Sequence, residues 1–192
     1  AASTNGSTST HTSVGISGTP NTFTKISEQT NGGGGAAAGA TLSVWRCVVG
    51  TAFVGGANIV MSFSFSPVAK ACSGRRYTVG SGSTITYSAP AVNVNTGAPV
   101  ALTVANLTPS DNHLLFRSAV VESKSSALSS ATPGWTLGGD AASTGGGADN
   151  THISAMNETL ITTGSTTYTS SPGGNAIDGA SIMFALSETP VL

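Results

Sequence analysis

Charge is the scarcest property of this sequence: Asp, Glu, Lys and Arg make up 8% of its 192 residues, against about 25% in an ordinary globular protein. The formal net charge is −1. Without a long-range field of either sign, nucleic acid and anionic lipid are not steered toward the chain, and nucleic-acid binding is disfavoured. A freely diffusing protein usually keeps its net charge away from zero to resist association. Near-neutrality combined with abundant Ser, Thr, Gly and Ala points to a chain that works in a fixed assembly or outside the cell.

Long apolar runs are missing too. None approaches the roughly 18 residues of a membrane-spanning helix, so membrane insertion is not expected. The opening "AASTNGSTSTHTSVGIS" has neither the basic nor the apolar region of a targeting peptide. The sequence does not start with Met, and removal or omission of a segment before Ala1 is the expectation. The two cysteines, Cys47 in "VWRCVVG" and Cys72 in "AKACSGR", are too few for a disulfide scaffold and lack metal-ligand spacing. They read as reduced, half-buried thiols, with one bridge between neighbouring strands as the alternative.

Groups able to carry chemistry are sparse and scattered. The only imidazoles are His11, His113 and His152. "SDNHLL" at 110–115 is the one place where Ser, Asp and His crowd together, but adjacent side chains on an extended chain diverge. Asp111 and Asn112 read as a turn, and His113 as a strand start. The eight acids stand singly, mostly in predicted loops, and form no pair for glycoside hydrolysis. The segment from Asp140 to Asn150 offers carboxylates and carbonyls suited to Ca²⁺, but its spacing matches no calcium loop. "GGGG" at 32–35 is followed by Ala and opens no helix, so it is no phosphate cradle. No catalytic residue, metal site or cofactor is assigned, and the chain reads as a non-enzyme.

What is present is strand pattern. In "ANIVMSFSFS" at 57–66, Ile59, Met61, Phe63 and Phe65 point one way and Ser62 and Ser64 the other, the period of two of a half-buried strand. Similar signals, punctuated by Gly, Pro, Ser and Asn, predict strands at 41–49, 59–66, 68–72, 84–88, 100–105, 114–121, 152–161, 166–170 and 180–186. No convincing helix is found; the nearest candidate, 122–128, is short and Ser-rich. The expected fold is an all-β antiparallel β-sandwich, with 1–192 as a single domain and less than about a tenth helix.

Two segments, "NGGGGAAAGA" at 31–40 and "GGDAASTGGGADN" at 138–150, read as flexible loops, and they reveal a weak duplication. The first half runs Thr19-Pro20, Phe23-Thr24, glycine loop, strand, Gly-Thr turn, strand. The second runs Thr132-Pro133, Trp135-Thr136, glycine loop, strand, Thr-Gly turn, strand. Two sheets built from similar halves would close such a core.

Four side chains stand out as contact candidates. Arg75 and Arg76 in "GRRY" form the only basic cluster, suited to a carboxylate on a partner subunit. Trp135 in "TPGWTL" is the candidate glycan-stacking platform, and Trp45 a weaker one, with core packing as the competing role for both. Asn5, Asn106 and Asn157 sit in N-x-Ser/Thr triplets, at a frequency that chance explains in so hydroxyl-rich a chain.

"TPGWTLGGD", the glycine loop after it, and "LSVWRCVVGT" resemble a recurrent pattern in virion proteins of tailed bacteriophages, in which P-x-G-W-T leads through a glycine loop into an apolar strand containing an aromatic. The resemblance covers most of the chain in strand order, through short motifs. In the first-half copy, "TPNTFTKIS" carries Phe23 where Trp is the pattern. The resemblance implies a jelly-roll-like sandwich lacking one or two upstream strands, with no fixed catalytic residues. It implies a structural role on the virion surface as a capsid decoration (cement) protein or tail-associated module. The expected partners are further copies of the chain, in a trimer, and the major capsid or tail protein, possible surface glycans being secondary. The alternative is a glycan-binding module of a tail fibre or secreted adhesin.

Overall fold

The computed structural model describes residues 2–5, 10–31, 39–64, 69–96, 102–104, 112–122, 134–142, 153–163, 168–170 and 178–191. Fourteen strands and no helix occur among them: β1 Ala2–Asn5, β2 His11–Ile16, β3 Phe23–Asn31, β4 Ala40–Cys47, β5 Ile59–Phe63, β6 Lys70–Cys72 and β7 Ser83–Tyr87, then β8 Ala91–Thr96, β9 Leu102–Val104, β10 Asn112–Glu122, β11 Thr136–Ala142, β12 Ile153–Thr163, β13 Tyr168–Ser170 and β14 Asp178–Pro190. All nine predicted strands are present. The other five, β1, β2, β3, β8 and β11, are rich in Thr, Ser, Asn or Gly and, apart from the short run Val92-Asn93-Val94-Asn95 of β8, lack an apolar alternation. Pairing with apolar neighbours, not their own pattern, makes them strands.

Every pairing among the described residues is antiparallel. One sheet has the order β3-β4-β1-β6. A second has the order β11-β12-β10-β14-β7, with β8 also on β14, and two further two-stranded sheets pair β13 with β9 and β2 with β5. Between the two larger sheets lies the main core, Leu42 and Val44 of β4 and Ala71 of β6 against Phe116 and Val120 of β10 and Ile182 and Phe184 of β14. Phe116 and Phe184 sit directly opposite in the ladder with ring centroids 5.2 Å apart. The reverse face of the second sheet is buried as well, with Leu115, Met183 and Ala185 packed around Trp135. Arg117 is fully buried on that face and donates from Nη2 to Ser181 Oγ at 3.1 Å.

The duplication is visible in the backbone. β3–β4 and β11–β12 are antiparallel hairpins, each carrying a bulge two residues after the Thr of its aromatic-Thr pair, at Ile26 and at Gly138. β4 then pairs with β1 and β12 with β10, so the two sheets share the order hairpin, preceding strand, following strand. The predicted loop at 138–150 is corrected at its start: Gly138–Ala142 belong to β11. Glycine is required at 138 because a Cβ there would collide with the Asn157 side chain. Gly39, at the end of the other glycine run, is buried; 32–38 and 143–150 lie outside the described residues.

β5 needs a second correction. It joins β2 in a separate two-stranded ribbon laid along β3. Ser62 and Ser64 are exposed and Met61 and Phe63 half-buried, as the alternation predicts, but Ile59 is 51% exposed. Gly74 of the connection after β6 comes near Ile59 without covering it, so the apolar face predicted to point inward borders an open cleft instead. Phe65 lies outside the described residues.

Candidate functional site

Sandwich sheets twist and diverge toward their ends, and at one end of this molecule they leave a cleft of about 1050 Å³. Val44, Phe116, Phe184 and Leu186 continue the main core into its floor; Ile59 and Met61 of the ribbon form part of its wall. Its mouth is made by two connections, 48–58 between β4 and β5 and 73–82 between β6 and β7. Each contains a tight turn with glycine at the third position and positive φ, Gly56 (Ala57 N–H to Val54 O, 3.0 Å) and Gly82 (Ser83 N–H to Gly80 O, 3.1 Å).

Both connections are pinned by side chains. Asn21 accepts from the N–H groups of Gly50 and Thr51 and donates to Thr51 O at 2.8 Å, fixing the first to the approach to β3. Asn157 donates to Ser73 Oγ at 2.7 Å, and Glu188 accepts from Gly80 N–H at 2.8 Å, fixing the second to β12 and β14. Held this way, Val48 (79% exposed), Val49, Phe53, Tyr77, Val79 and Tyr87 present an apolar band to solvent around the mouth.

The described residues lining the cleft include three arginines, Arg46, Arg75 and Arg76, and no Lys, Asp or Glu. Arg46 of β4 lies 4.2 Å from the ring centroid of Tyr87 in β7, a cation–π contact joining the two sheets. Arg75 reaches Leu137 O at 3.5 Å, a long contact. Arg76 is exposed and has no hydrogen bond or ion pair among the described residues. The sequence singled out Arg75 and Arg76 as a cluster; it gave no sign that loops and strands so far apart in the chain would make them the polar part of an apolar mouth.

A second cluster, unforeseen in the sequence, centres on His11 of β2. The ring is fully buried, with Nδ1 hydrogen-bonded to Ser43 Oγ of β4. Trp45 Nε1 donates to the same Oγ at 2.7 Å. Glu28 of β3 accepts from the His11 backbone N–H and from Lys25 Nζ, both at 3.0 Å, and its Oε2 is 4.0 Å from Nδ1. Phe63 meets the ring edge-on at 5.1 Å. Burial pushes the imidazole down to about 4, against the upward pull of Glu28 and with a small further lowering by Lys25. Ser, His and Glu therefore meet, but hydroxyl and carboxylate share one nitrogen, and Nε2 is buried without a hydrogen-bond partner among the described residues. A hydrolytic relay uses both nitrogens and an accessible hydroxyl; Ser43 is fully buried. The cluster locks the β2–β5 ribbon onto β3–β4.

The remaining candidates fall apart from one another. His113 is the second residue of β10, buried, with Nδ1 2.7 Å from Ser187 Oγ; Asp111 lies outside the described residues. Trp135, the candidate glycan platform, is 9% exposed and packed on Leu115, Met183 and Ala185, so its ring has no open face for a sugar. Trp45 is half-buried, with Lys25 Nζ 5.0 Å from its centroid. Asn157 is buried, which removes it as a glycosylation acceptor. Cys47 and Cys72 are free. Register through Ala2 sets Ser43 level with Cys72, which puts Cys47 two strands and four residues away, roughly 16 Å and beyond disulfide reach. Burial raises the Cys47 thiol pKa.

Among the described residues no three His, Cys, Asp or Glu side chains come together as metal ligands, and no helix is long and apolar enough to cross a membrane. No protein-family model, curated protein or solved structure matches the chain.

Proposed function

We propose that this chain is a non-enzymatic structural protein of a bacteriophage virion, an outer capsid decoration (cement) protein that stabilises the particle through subunit contacts. The observation that carries this reading is the exposed apolar band around the cleft, with its arginines and no Lys, Asp or Glu. Contiguous exposed apolar surface on a folded domain marks an interaction face. Interface cores are enriched in aromatics, Met and Arg and depleted of Lys, Glu and Asp. The near-neutral, hydroxyl-rich remainder of the surface suits a protein fixed on a particle, since Ser and Thr offer hydrogen bonds without the cost of desolvating a charge.

Charge also bears on the geometry of self-association. A two-fold contact centred on this face would set guanidinium against guanidinium with no carboxylate in the patch. A head-to-tail contact avoids that clash, and where its rotation closes it forms a ring, the arrangement expected of the trimer seated on the major capsid or tail protein. The alternative, a glycan-binding module, loses Trp135 as a stacking platform through its burial and would rest on Trp45, half-buried in the cleft lining.

Sedimentation of the purified protein together with its copy number per particle tests the reading. A trimer present in a fixed ratio to the lattice subunit is the expected result. A stable monomer that binds neither capsid nor tail preparations overturns it.

A further inference from the structure

A subunit contact accounts for the rim of the cleft but not for its depth. The space runs from the exposed band down to Phe116, Phe184 and Leu186 in the inter-sheet core, where a flat protein face does not reach. Its volume, about 1050 Å³, matches the upper end of small-molecule sites, roughly 300–1,000 Å³. A narrow apolar chain fits such a space.

The polar lining selects the head group. A cationic amphiphile would meet three guanidinium groups and no carboxylate, whereas an anion meets no like charge among the described lining residues. Arg46 is committed to Tyr87, and Arg75 makes one long contact to a carbonyl. Arg76 is exposed and uncommitted among the described residues, next to Arg75 in the connection held by Ser73 and Gly80. Two adjacent guanidinium groups on a tethered connection suit a planar carboxylate, which guanidinium donors bind through paired hydrogen bonds.

We propose that the cleft is a binding site for a long-chain carboxylate, its tail along Val44, Met61, Phe116 and Leu186 and its head at Arg75 and Arg76. The proposal stands whether or not the rim is also a subunit contact. Each methylene taken into the cleft tightens binding by about fourfold, the ratio that corresponds to ~0.8 kcal/mol.

Dodecanoate below its micelle-forming concentration is the probe, with Trp45, which lines the cleft, as a fluorescent reporter and calorimetry for stoichiometry. Saturable one-to-one binding is expected, tightening from octanoate to dodecanoate. It should weaken by between about tenfold and about a hundredfold for methyl dodecanoate and for the Arg75→Gln/Arg76→Gln double variant, the loss expected of a charge-assisted pair. Both arginines are exposed, so an unchanged melting temperature separates lost binding from lost folding. Equal affinity for acid and ester, unchanged binding by the double variant, or no saturable binding overturns the proposal. So does binding that vanishes as the protein self-associates, which makes a second copy the occupant.

Discussion

In the β3–β4 hairpin the bulged residue is Ile26, half-buried against the core, and the residue beyond it, Ser27, pairs with Val44. In the β11–β12 hairpin the bulged residue is Gly138, and Gly139 pairs with Asn157. Val44 and Asn157 thus hold the same place in the two copies, and both are buried. One continues the apolar core into the floor of the cleft. The other reaches Ser73 and ties down the connection at its mouth. The shared backbone plan survives in both hairpins, while one pair of positions, apolar with a bulky bulge or amide with a glycine bulge, decides which copy builds the cleft and which anchors its edge.

Exchanging those positions breaks the comparison most severely in one direction. Val44→Asn removes a buried aliphatic side chain and places an amide among Leu42, Phe116 and Ile182 with no partner at hand. The expected loss is about 3–4 kcal/mol, the sum of lost apolar burial and an unsatisfied polar group. A urea melt with an unchanged slope and a lowered midpoint would register it.

The hairpins also differ in what covers them. Ser43 of the first hairpin is capped by His11, while register places Met156 at the equivalent position of the second, so acid should act on the first hairpin through this imidazole. The His11 imidazole titrates near 4 when folded and near its ordinary 6.5 when unfolded. Between those values the unfolded chain holds a proton that the folded one does not. Stability is therefore full above about pH 6.5, falls as the pH drops toward 4, and loses nothing further to this group below that. The whole window is worth on the order of 3 kcal/mol. Denaturation midpoints at pH 7 and pH 4.5 should diverge in the natural protein and converge in His11→Gln; an undiminished pH effect in that variant would show that other groups carry it.

Legibility in the sequence followed the source of each strand's stability. β4, β10 and β14 announce themselves because Leu42 and Val44, Phe116 and Val120, and Ile182 and Phe184 recur at strand period. β3, reading Phe-Thr-Lys-Ile-Ser-Glu, hides because its bulge at Ile26 breaks the alternation. β11 hides inside a glycine run whose first member is small to admit Asn157. The duplication was readable from the shared order of Thr-Pro pair, aromatic-Thr pair, glycine loop, strand and turn. The sites were not. The cleft draws on six stretches far apart in sequence, and His11, Glu28 and Ser43 come from three strands of which two were unforeseen. Ile59 carried the right alternation, but alternation does not say whether another layer lies over the apolar face.

The reverse exchange, Asn157→Val, should be milder. It gives up the hydrogen bond to the half-buried Ser73 but gains apolar contact in the core, for a net loss of about 1–2 kcal/mol. Its clearer signature is local: amides of 73–82 should exchange faster with solvent while those of β10 and β14 do not. Equal protection of that connection in both proteins would mean that Glu188 on Gly80 holds it unaided.

The smallest effect concerns the link between the copies' two sheets across the cleft, where Arg46 continues the first hairpin and Tyr87 borders β14. Each alanine substitution alone removes packing as well as the cation–π contact, so neither isolates it. The double-mutant cycle of Arg46→Ala and Tyr87→Ala does, because the packing losses of each side chain cancel and only the coupling remains. At a partly exposed site that coupling should be about 0.5–1 kcal/mol. As an attraction to the ring quadrupole rather than to a counter-ion, it is expected to weaken only slightly with added salt. A coupling near zero would mean that the sheets are held at this end by Leu186 and Phe184 alone, and that the cleft's mouth is free to widen.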